Sequence, residues 1–276
     1  MATQRRGIGL AIGLNAVDPA HYASWLGQLR GCEADAAAIT RLGQSRGFEM
    51  TTLLTPAATR GAVMSAIERG ARELLAGDTF LLSYSGHGGQ VPDVNGDEDD
   101  HLDETWCLHD GLVVDDELHL WLSKFAAGVR VLVLSDSCHS GTVTRRGSDG
   151  LAVAVALPPG TVARAMPGDV ALRTFEQHRA EYVALQRAIP ADITAQIGAT
   201  VRLLAGCQDD QFALDAADHG LFTSTLLQIW NTGSFTGTYD EFHRAIASRM
   251  PEYQTPNHFV IGPSSPAFDL GPPFTL

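Results

Sequence analysis

Cysteine is scarce in this chain of 276 residues: Cys32, Cys107, Cys138 and Cys207 are widely spaced and include no C-x-x-C pair. Four is too few for a disulfide scaffold, and the spacing is wrong for a structural zinc site. Long apolar runs are missing too. No stretch approaches the ~18–20 residues that span a bilayer, which excludes an integral helical membrane protein. Basic residues are outnumbered 19 to 32, and a formal charge of −13 is opposite in sign to the footprint of a nucleic-acid binder. Eleven of the 32 acids fall within residues 93–117, which hold no Lys or Arg, and outside that stretch the balance is 21 acids to 19 bases. The excess charge is one local feature, suited to something cationic.

Arg5-Arg6 followed by apolar residues 7–17 imitates an export signal. The stretch carries three glycines, however, and runs into Asp18-Pro19 without a small-x-small cleavage site. It reads as the first core strand of a cytoplasmic protein.

Beyond it, strands and helices alternate. Residues 7–14 form a short buried strand. Residues 33–46 place Ala34, Ala38, Ile39 and Leu42 at helical spacing and stop at Gly47. A strand at 48–54 and a helix at 59–76, capped by Thr59 and closed by Gly77, precede a strand at 79–84 that leads into Ser85-Gly86-His87-Gly88-Gly89. Residues 105–114 read as a hairpin turning at Asp110-Gly111. Asp115-Asp116 then opens a helix over 117–126, since carboxylates favour a helix amino terminus. The branched-apolar strand 129–134 suits the middle of a parallel sheet and runs into Asp136-Ser137-Cys138-His139-Ser140-Gly141. Residues 142–199 break the rhythm with Pro158-Pro159-Gly160, Pro167-Gly168 and one helix from about 170 to 189; so long a connection is functional or mobile. A strand at 200–206, helices at 221–230 and 239–249 and a strand at 257–261 complete an α/β fold, its mainly parallel sheet flanked by helices.

Chemistry in such sheets gathers at the carboxyl ends of strands, where both glycine-bracketed motifs fall. One offers an imidazole, the other a thiol. A thiol attacks a carbonyl as thiolate, and a nearby histidine can stabilise it and protonate the leaving amine. A lone Cys or His at a strand end is more often structural, but the two together, 51 residues apart, favour a reactive pair. His139 is expected to point away, and Cys107 and Cys207 to pack in the core.

The spacing fits the caspase pattern of a His about 50 residues before the Cys. The letters of Tyr84-Ser85-Gly86-His87-Gly88 and of the Asp136–Gly141 motif resemble the metacaspase and orthocaspase branch of the caspase-like cysteine proteases more closely. So do Gly31-Cys32-Glu33-Ala34-Asp35, the acidic residues 96–104 with Val114-Asp115-Asp116-Glu117-Leu118, and Ala205-Gly206-Cys207-Gln208-Asp209-Asp210-Gln211. The resemblance runs from about Gly7 to Ile261. It implies a caspase-like sandwich with a central, mainly parallel six-stranded sheet. The whole chain would be one peptidase domain, with a p20-like portion over 7–146, a linker over 147–199 and a p10-like portion over 200–276.

The resemblance makes Cys138 the nucleophile and His87 its partner, with the Gly88 and Cys138 amides as the oxyanion hole. Its selectivity pocket maps onto Cys32, Asp35, Ser85 and Asp136. Two carboxylates there would repel an aspartate and welcome a guanidinium, so cleavage after Arg or Lys is expected. Asp35 read alone could equally be a solvated helix carboxylate. The activity implied is that of a monomeric cysteine endopeptidase acting on proteins or peptides through an acyl-enzyme, without an organic cofactor. The alternative is a catalytically silent caspase-fold module that binds calcium or peptide.

Asp93, Asn95, Asp97 and Glu104 sit at positions 1, 3, 5 and 12 of an EF-hand-like count, but Glu98 stands where that loop needs glycine. Hard oxygen ligands in this density still favour Ca²⁺. The resemblance places its ligands at Asp103, Asp115 and Asp116, while a fourth family carboxylate is replaced by Arg145. The connection over 142–199 holds Arg145, Arg146, Arg164, Arg173, Arg179 and Arg187. In an Arg-directed protease these are candidates for self-cleavage, Arg145 and Arg146 first, although the apolar face of Leu172, Phe175, Tyr182, Leu185 and Ile189 would let part of the linker dock as a lid.

Overall fold

The computed structural model describes residues 5–276 except 97, 99, 139–143, 147–151, 155–156, 209–210 and 217, with backbone only at 144–146 and 152–154. The first half is a run of strand–helix units: β1 (Gly7–Gly13), α1 (Cys32–Ser45), β2 (Phe48–Leu54), α2 (Arg60–Glu73) and β3 (Thr79–Ser85). A small antiparallel sheet follows, made of β4 (Gly88–Pro92), β5 (Leu102–Leu108) and β6 (Gly111–Val114). Helix α3 (Asp115–Leu122) then leads to β7 (Arg130–Asp136). The connection over 142–199 holds β8 (Thr144–Arg146), β9 (Ala152–Ala154), β10 (Val162–Ala163), α4 (Gly168–Gln177) and α5 (Arg179–Ala188). The chain ends with β11 (Thr200–Ala205), β12 (Leu214–Asp215), α6 (Leu221–Trp230), α7 (Tyr239–Ala247), β13 (Asn257–Ile261) and the single-turn α8 (Pro266–Asp269).

The central sheet has six strands in the order β13-β11-β7-β3-β1-β2, all parallel except β13, which runs against β11. Its strands alternate between two cores, as the period of two requires. Phe80, Leu82, Val131 and Val133 meet Val63 and Ile67 of α2 and Trp121 of α3. Leu81, Leu132 and Leu134 point the other way, to Ile39 and Leu42 of α1, Phe222 and Leu226 of α6, and Phe242 of α7. With both faces covered, the strands read as continuous apolar runs, and the sheet is the caspase-like sandwich expected from the sequence.

Two local features escaped the pattern reading. Residues 88–92 look like a glycine loop, yet they form β4 because β5 pairs with them from Gly88–Trp106 to Pro92–Leu102. The single helix expected near 170–189 is two, broken at His178. The break is local: His178 takes a non-helical φ of −114° and ψ of 20°, and its ring stacks on His21 at 3.9 Å. Both helices can then send Phe175 and Tyr182 into one apolar cluster with Met166 and Val91.

Gly13 sets how closely α1 approaches the sheet. A Cβ there would lie 2.3 Å from the Cys32 carbonyl oxygen and 2.8 Å from the Ala36 Cβ. Gly13→Ala should therefore push back the first turn of α1 and cost about 1–3 kcal/mol, as overpacking does. Urea unfolding measures it; an unchanged midpoint would show that α1 can recede without loss.

Candidate active site

The in-register pairing of β3 with β7, Ser85 opposite Asp136, brings both sequence motifs out side by side at the same edge. His87 is buried, and its ring packs on Trp25 at 4.6 Å between centroids. Its Nε2 lies 3.1 Å from the Gly27 carbonyl oxygen, which can only accept, so Nε2 carries the proton and Nδ1 the lone pair. Nδ1 is buried without a well-formed hydrogen bond of its own. Burial pulls the imidazole pKa down to about 4, although the Gly27 and Ala165 carbonyls oppose it, so the ring is neutral at neutral pH. Cys138 is fully buried, and its Sγ accepts from the Ala213 N–H at 2.9 Å. Gly88 admits no side chain, because a Cβ there would stand 1.8 Å from the Cys138 carbonyl oxygen.

Beside this pair, Cys32, Asp35, Ser85 and Asp136 converge as the resemblance implied, and Asp35 is buried rather than solvated. They surround the guanidinium of Arg164, which has no exposed surface. Nη2 lies 2.7 Å from Asp35 Oδ2 and 2.8 Å from Asp215 Oδ1; Nη1 lies 3.1 Å from Asp136 Oδ2 and donates to Ser85 Oγ at 2.7 Å. Burial alone would lower the Arg164 pKa, but Asp136, Asp35 and Asp215 raise it well above the usual value. Burial pushes the Cys32 thiol up to about 12, so it stays neutral.

Each carboxylate is held by its own donors. Asp35 accepts from the Gly220 N–H and sits 2.8 Å from His219 Nδ1. Asp136 accepts from the Thr223 amide at 3.0 Å and hydroxyl at 2.7 Å, although burial still raises its pKa. Asp215 accepts from the amides of Arg30 at 2.7 Å and Gly31 at 3.1 Å. Such fixed carboxylates meet a charge without reorganising.

The backbone of Arg164 completes the arrangement. Its carbonyl oxygen accepts from the N–H of Gly88 at 3.0 Å and of Cys138 at 3.2 Å, the two amides expected to form an oxyanion hole. Its own N–H donates to Ala213, and the Met166 N–H donates to Gly88, so residues 162–166 lie extended between β12 and β4. The linker fills the cleft.

Asp215 and His219 were not foreseen. Asp215 lies four residues beyond the Ala205–Gln211 motif, and following that motif onto its next strand would have found it. Arg164 had been counted only among the linker arginines. Arg145 and Arg146 lie in β8, their side chains outside the described residues, as is all of His139. Cys107 is a buried thiol, and the buried Cys207 thiol donates to the Ser137 carbonyl at 3.4 Å.

The expected metal ligands come together only in part. Among the described residues, carboxylate oxygens of Glu98, Glu104 and Asp115 lie within 4.8 Å of one another. Asp116 instead accepts from Asn95 at 2.7 Å, and Asp103 is buried in β5. Burial, then Glu104 and Asp116, push the Asp115 carboxyl up to about 8.

The family model described as Caspase domain matches residues 7–264, and the chain belongs to that family, as a metacaspase-like member. It is 30% identical over 253 residues to Metacaspase-1 of Saccharomyces cerevisiae, a match covering 79% of this chain and 56% of that protein. It is 37% identical over 148 residues to Metacaspase-1 of Coccidioides immitis, covering 48% and 31%. The chain thus spans about half or less of the length of these curated relatives. A crystal structure of a Geobacter sulfurreducens protein is 49% identical, with a TM-score of 0.87 over 98% of both chains. Caspase-1 from Spodoptera frugiperda shares the fold at 10% identity, with a TM-score of 0.54 over 94% of this chain and 86% of the other.

Two outcomes are expected. Asp215→Ala leaves Arg164 short of an anion and two amides without their acceptor, so urea unfolding should show a loss of about 3–5 kcal/mol; a change near zero would mean that Asp215 adds nothing. For Asp115, the folded value of about 8 lies above its ordinary 3.8, so the proton is held more tightly in the folded state. Its contribution is present at low pH and is lost as pH rises through the folded value. Asp115→Asn should therefore raise the melting temperature at pH 8 more than at pH 4. The opposite order would contradict the assignment.

Proposed function

We propose that this protein is a cysteine endopeptidase that cuts after arginine, with Cys138 as nucleophile and His87 as its proton partner. One observation carries the reading: three buried carboxylates meet a single guanidinium whose own carbonyl oxygen rests on two amides beside the Cys138 thiol. In this reading the lone pair on His87 Nδ1 takes the thiol proton, Sγ attacks the carbonyl, and the Gly88 and Cys138 amides hold the oxyanion. His87 returns the proton to the leaving amine, and water releases the acyl group. Arginine is preferred to lysine because a planar fork can engage Ser85 and three carboxylates together, whereas an ammonium is a point charge. An aspartate before the cut would face only like charge.

The reading extends to Ca²⁺ stimulation. Asp115, desolvated beside Glu104 and near Glu98, offers oxygen donors that a hard divalent cation would suit, with Asp103 and Asp116 as the further candidates. A bound ion would supply charge neutralisation there. Self-processing in the linker and a cytoplasmic, monomeric enzyme acting on proteins or peptides complete the proposal. Among the described residues, no helix is long and apolar enough to cross a membrane.

Fluorogenic peptides ending in Arg, Lys or Asp test the central reading. The wild type should prefer Arg over Lys and leave Asp untouched. Cys138→Ala should be inactive, and His87→Ala slower by ~10²–10⁴-fold. Retained activity in Cys138→Ala, or cleavage after Asp, would sink it. Calcium should raise the melting temperature by mass action, and EDTA should reverse the effect; no shift would remove the ion from the account.

A further inference from the structure

We propose that Trp25 is a positioning residue of the reaction: its indole holds the His87 imidazole in one orientation and keeps water from it, so that Nδ1 stays available to the Cys138 thiol. The proposal rests on the reading of His87 as proton partner and adds the residue that sets how well it serves.

The contact is direct. The indole lies on the imidazole with 4.6 Å between ring centroids and 58° between planes. His87 is buried while Trp25 is only half-buried, so the indole stands between the imidazole and solvent. Gly27 is wedged against both rings: a Cβ there would lie 3.1 Å from the indole Cη2 and Cζ3 and 3.2 Å from the imidazole Cδ2. Its carbonyl oxygen accepts from Nε2 at 3.1 Å. A single hydrogen bond still lets the ring swing about its last torsion, which for an imidazole is broad. An aromatic face laid against the ring removes that freedom.

The loop before α1 is bent to deliver this side chain. Ala23 and Ser24 both take left-handed φ, 49° and 69°, which residues with side chains seldom adopt. The Ser24 N–H donates to the Pro19 carbonyl and the Trp25 N–H to the Tyr22 carbonyl, each at 2.8 Å. Ser24 and Leu26 are left exposed, while Trp25 between them turns onto His87. Tyr22 anchors the bend: it is buried, and its hydroxyl donates to the Leu108 carbonyl at 2.6 Å. Main-chain bonds from Val17 to Leu26 at 3.1 Å and from Leu29 to Asn15 at 2.9 Å close the loop. Trp25 and Gly27 therefore reach His87 from one turn, and whatever displaces that turn moves both.

Water exclusion decides the protonation state. Arg164 and Asp215 are the charges that act on the imidazole, and they oppose each other, the first lowering its pKa and the second raising it. On the loop itself, burial keeps His21 and Tyr22 neutral. Burial is the largest influence on His87 and brings it from an ordinary 6.5 to about 4. A group whose charged form is penalised by burial returns towards its ordinary value as water enters, so removing the indole should raise His87. A base must be unprotonated to act. Activity is therefore lost as pH falls through the His87 value, and the acid limb of the rate profile should move up with it.

Rate profiles against pH on an Arg peptide, with an NMR titration of His87, decide the matter. Trp25→Ala should lower kcat by about 10–100-fold, less than loss of the imidazole itself. KM should stay close to wild type, because the groups around the Arg164 guanidinium come from other parts of the chain. The acid limb should lie at least about one pH unit higher, and Trp25→Phe, which keeps an aromatic face, should recover most of both effects. In Cys138→Ala, where no turnover is needed, the His87 ring nitrogens should titrate low, and adding Trp25→Ala should raise that value by the same amount. If Trp25→Ala does not fold, Trp25→Leu, with a smaller apolar cover, carries the comparison and should fall between. A folded Trp25→Ala protein with wild-type kcat and acid limb, or with only KM raised, overturns the proposal and leaves the Arg-directed reading standing. If the wild type cuts no Arg peptide, that reading falls and the titration decides Trp25 on its own: a raised His87 upholds the role, and an unmoved one overturns it.

Discussion

The guanidinium of Arg164 is the charge on which the cleft is organised. Taking an ion out of water costs several kcal/mol even after relaxation, and three carboxylates brought together would repel one another strongly. One buried cation offsets both terms, and in doing so it joins parts of the chain that are far apart in sequence. Asp35 comes from α1, Ser85 from the end of β3, Asp136 from the end of β7 and Asp215 from β12. The donors that hold those carboxylates add Gly220 and Thr223 at the start of α6. One full positive charge stands among three acids, and burial, with Asp35 beside it, still raises the pKa of Asp136 against the pull of Arg164.

From that anchor the rest of the site follows geometrically. With its side chain in the pocket, Arg164 sets its carbonyl oxygen between the amides of Gly88 and Cys138. Those amides are free to converge because Gly88 carries no side chain against the Cys138 carbonyl. His87 is held neutral by burial and oriented by the Gly27 carbonyl, leaving Nδ1 as the basic atom. In the proposed mechanism, binding of charge, alignment of the carbonyl and proton transfer thus depend on different groups with one shared reference point. A cavity of about 460 Å³ lies elsewhere, beside Trp106, Asp115 and Phe259.

Much of this was legible in the sequence because it is local. The strands 48–54 and 257–261 and the helix 221–230 have the bounds that apolar patterning gives them, and Thr59 caps α2 by accepting from Ala62. The placing of both motifs at one edge of the sheet needed only the rule that chemistry sits at strand ends. What stayed hidden depends on tertiary partners. β4 exists because β5 pairs with it, and the break at His178 depends on His21, far away in sequence. Asp35 has nothing in its local sequence to mark it as buried. Arg164 looks like any other linker arginine, since its burial is decided by three acids spread over 180 residues of chain. Asp103 and Asp116 fit the acidic pattern, yet among the described residues the fold groups Asp115 at the start of α3 with Glu104 of β5 and Glu98 of the segment before β5.

The central claim is that this cleft is built around a guanidinium, and chemical rescue tests it directly. Arg164→Ala should lower the melting temperature by leaving three buried carboxylates without their cation. A small alkylguanidine should restore it in a saturable manner, by the mass-action stabilisation of a ligand that binds only the folded state. An alkylamine of the same length should restore less, and sodium chloride at equal ionic strength should fail. If all three solutes acted alike, or if Arg164→Ala melted at the wild-type temperature, the guanidinium would not be what holds the site together.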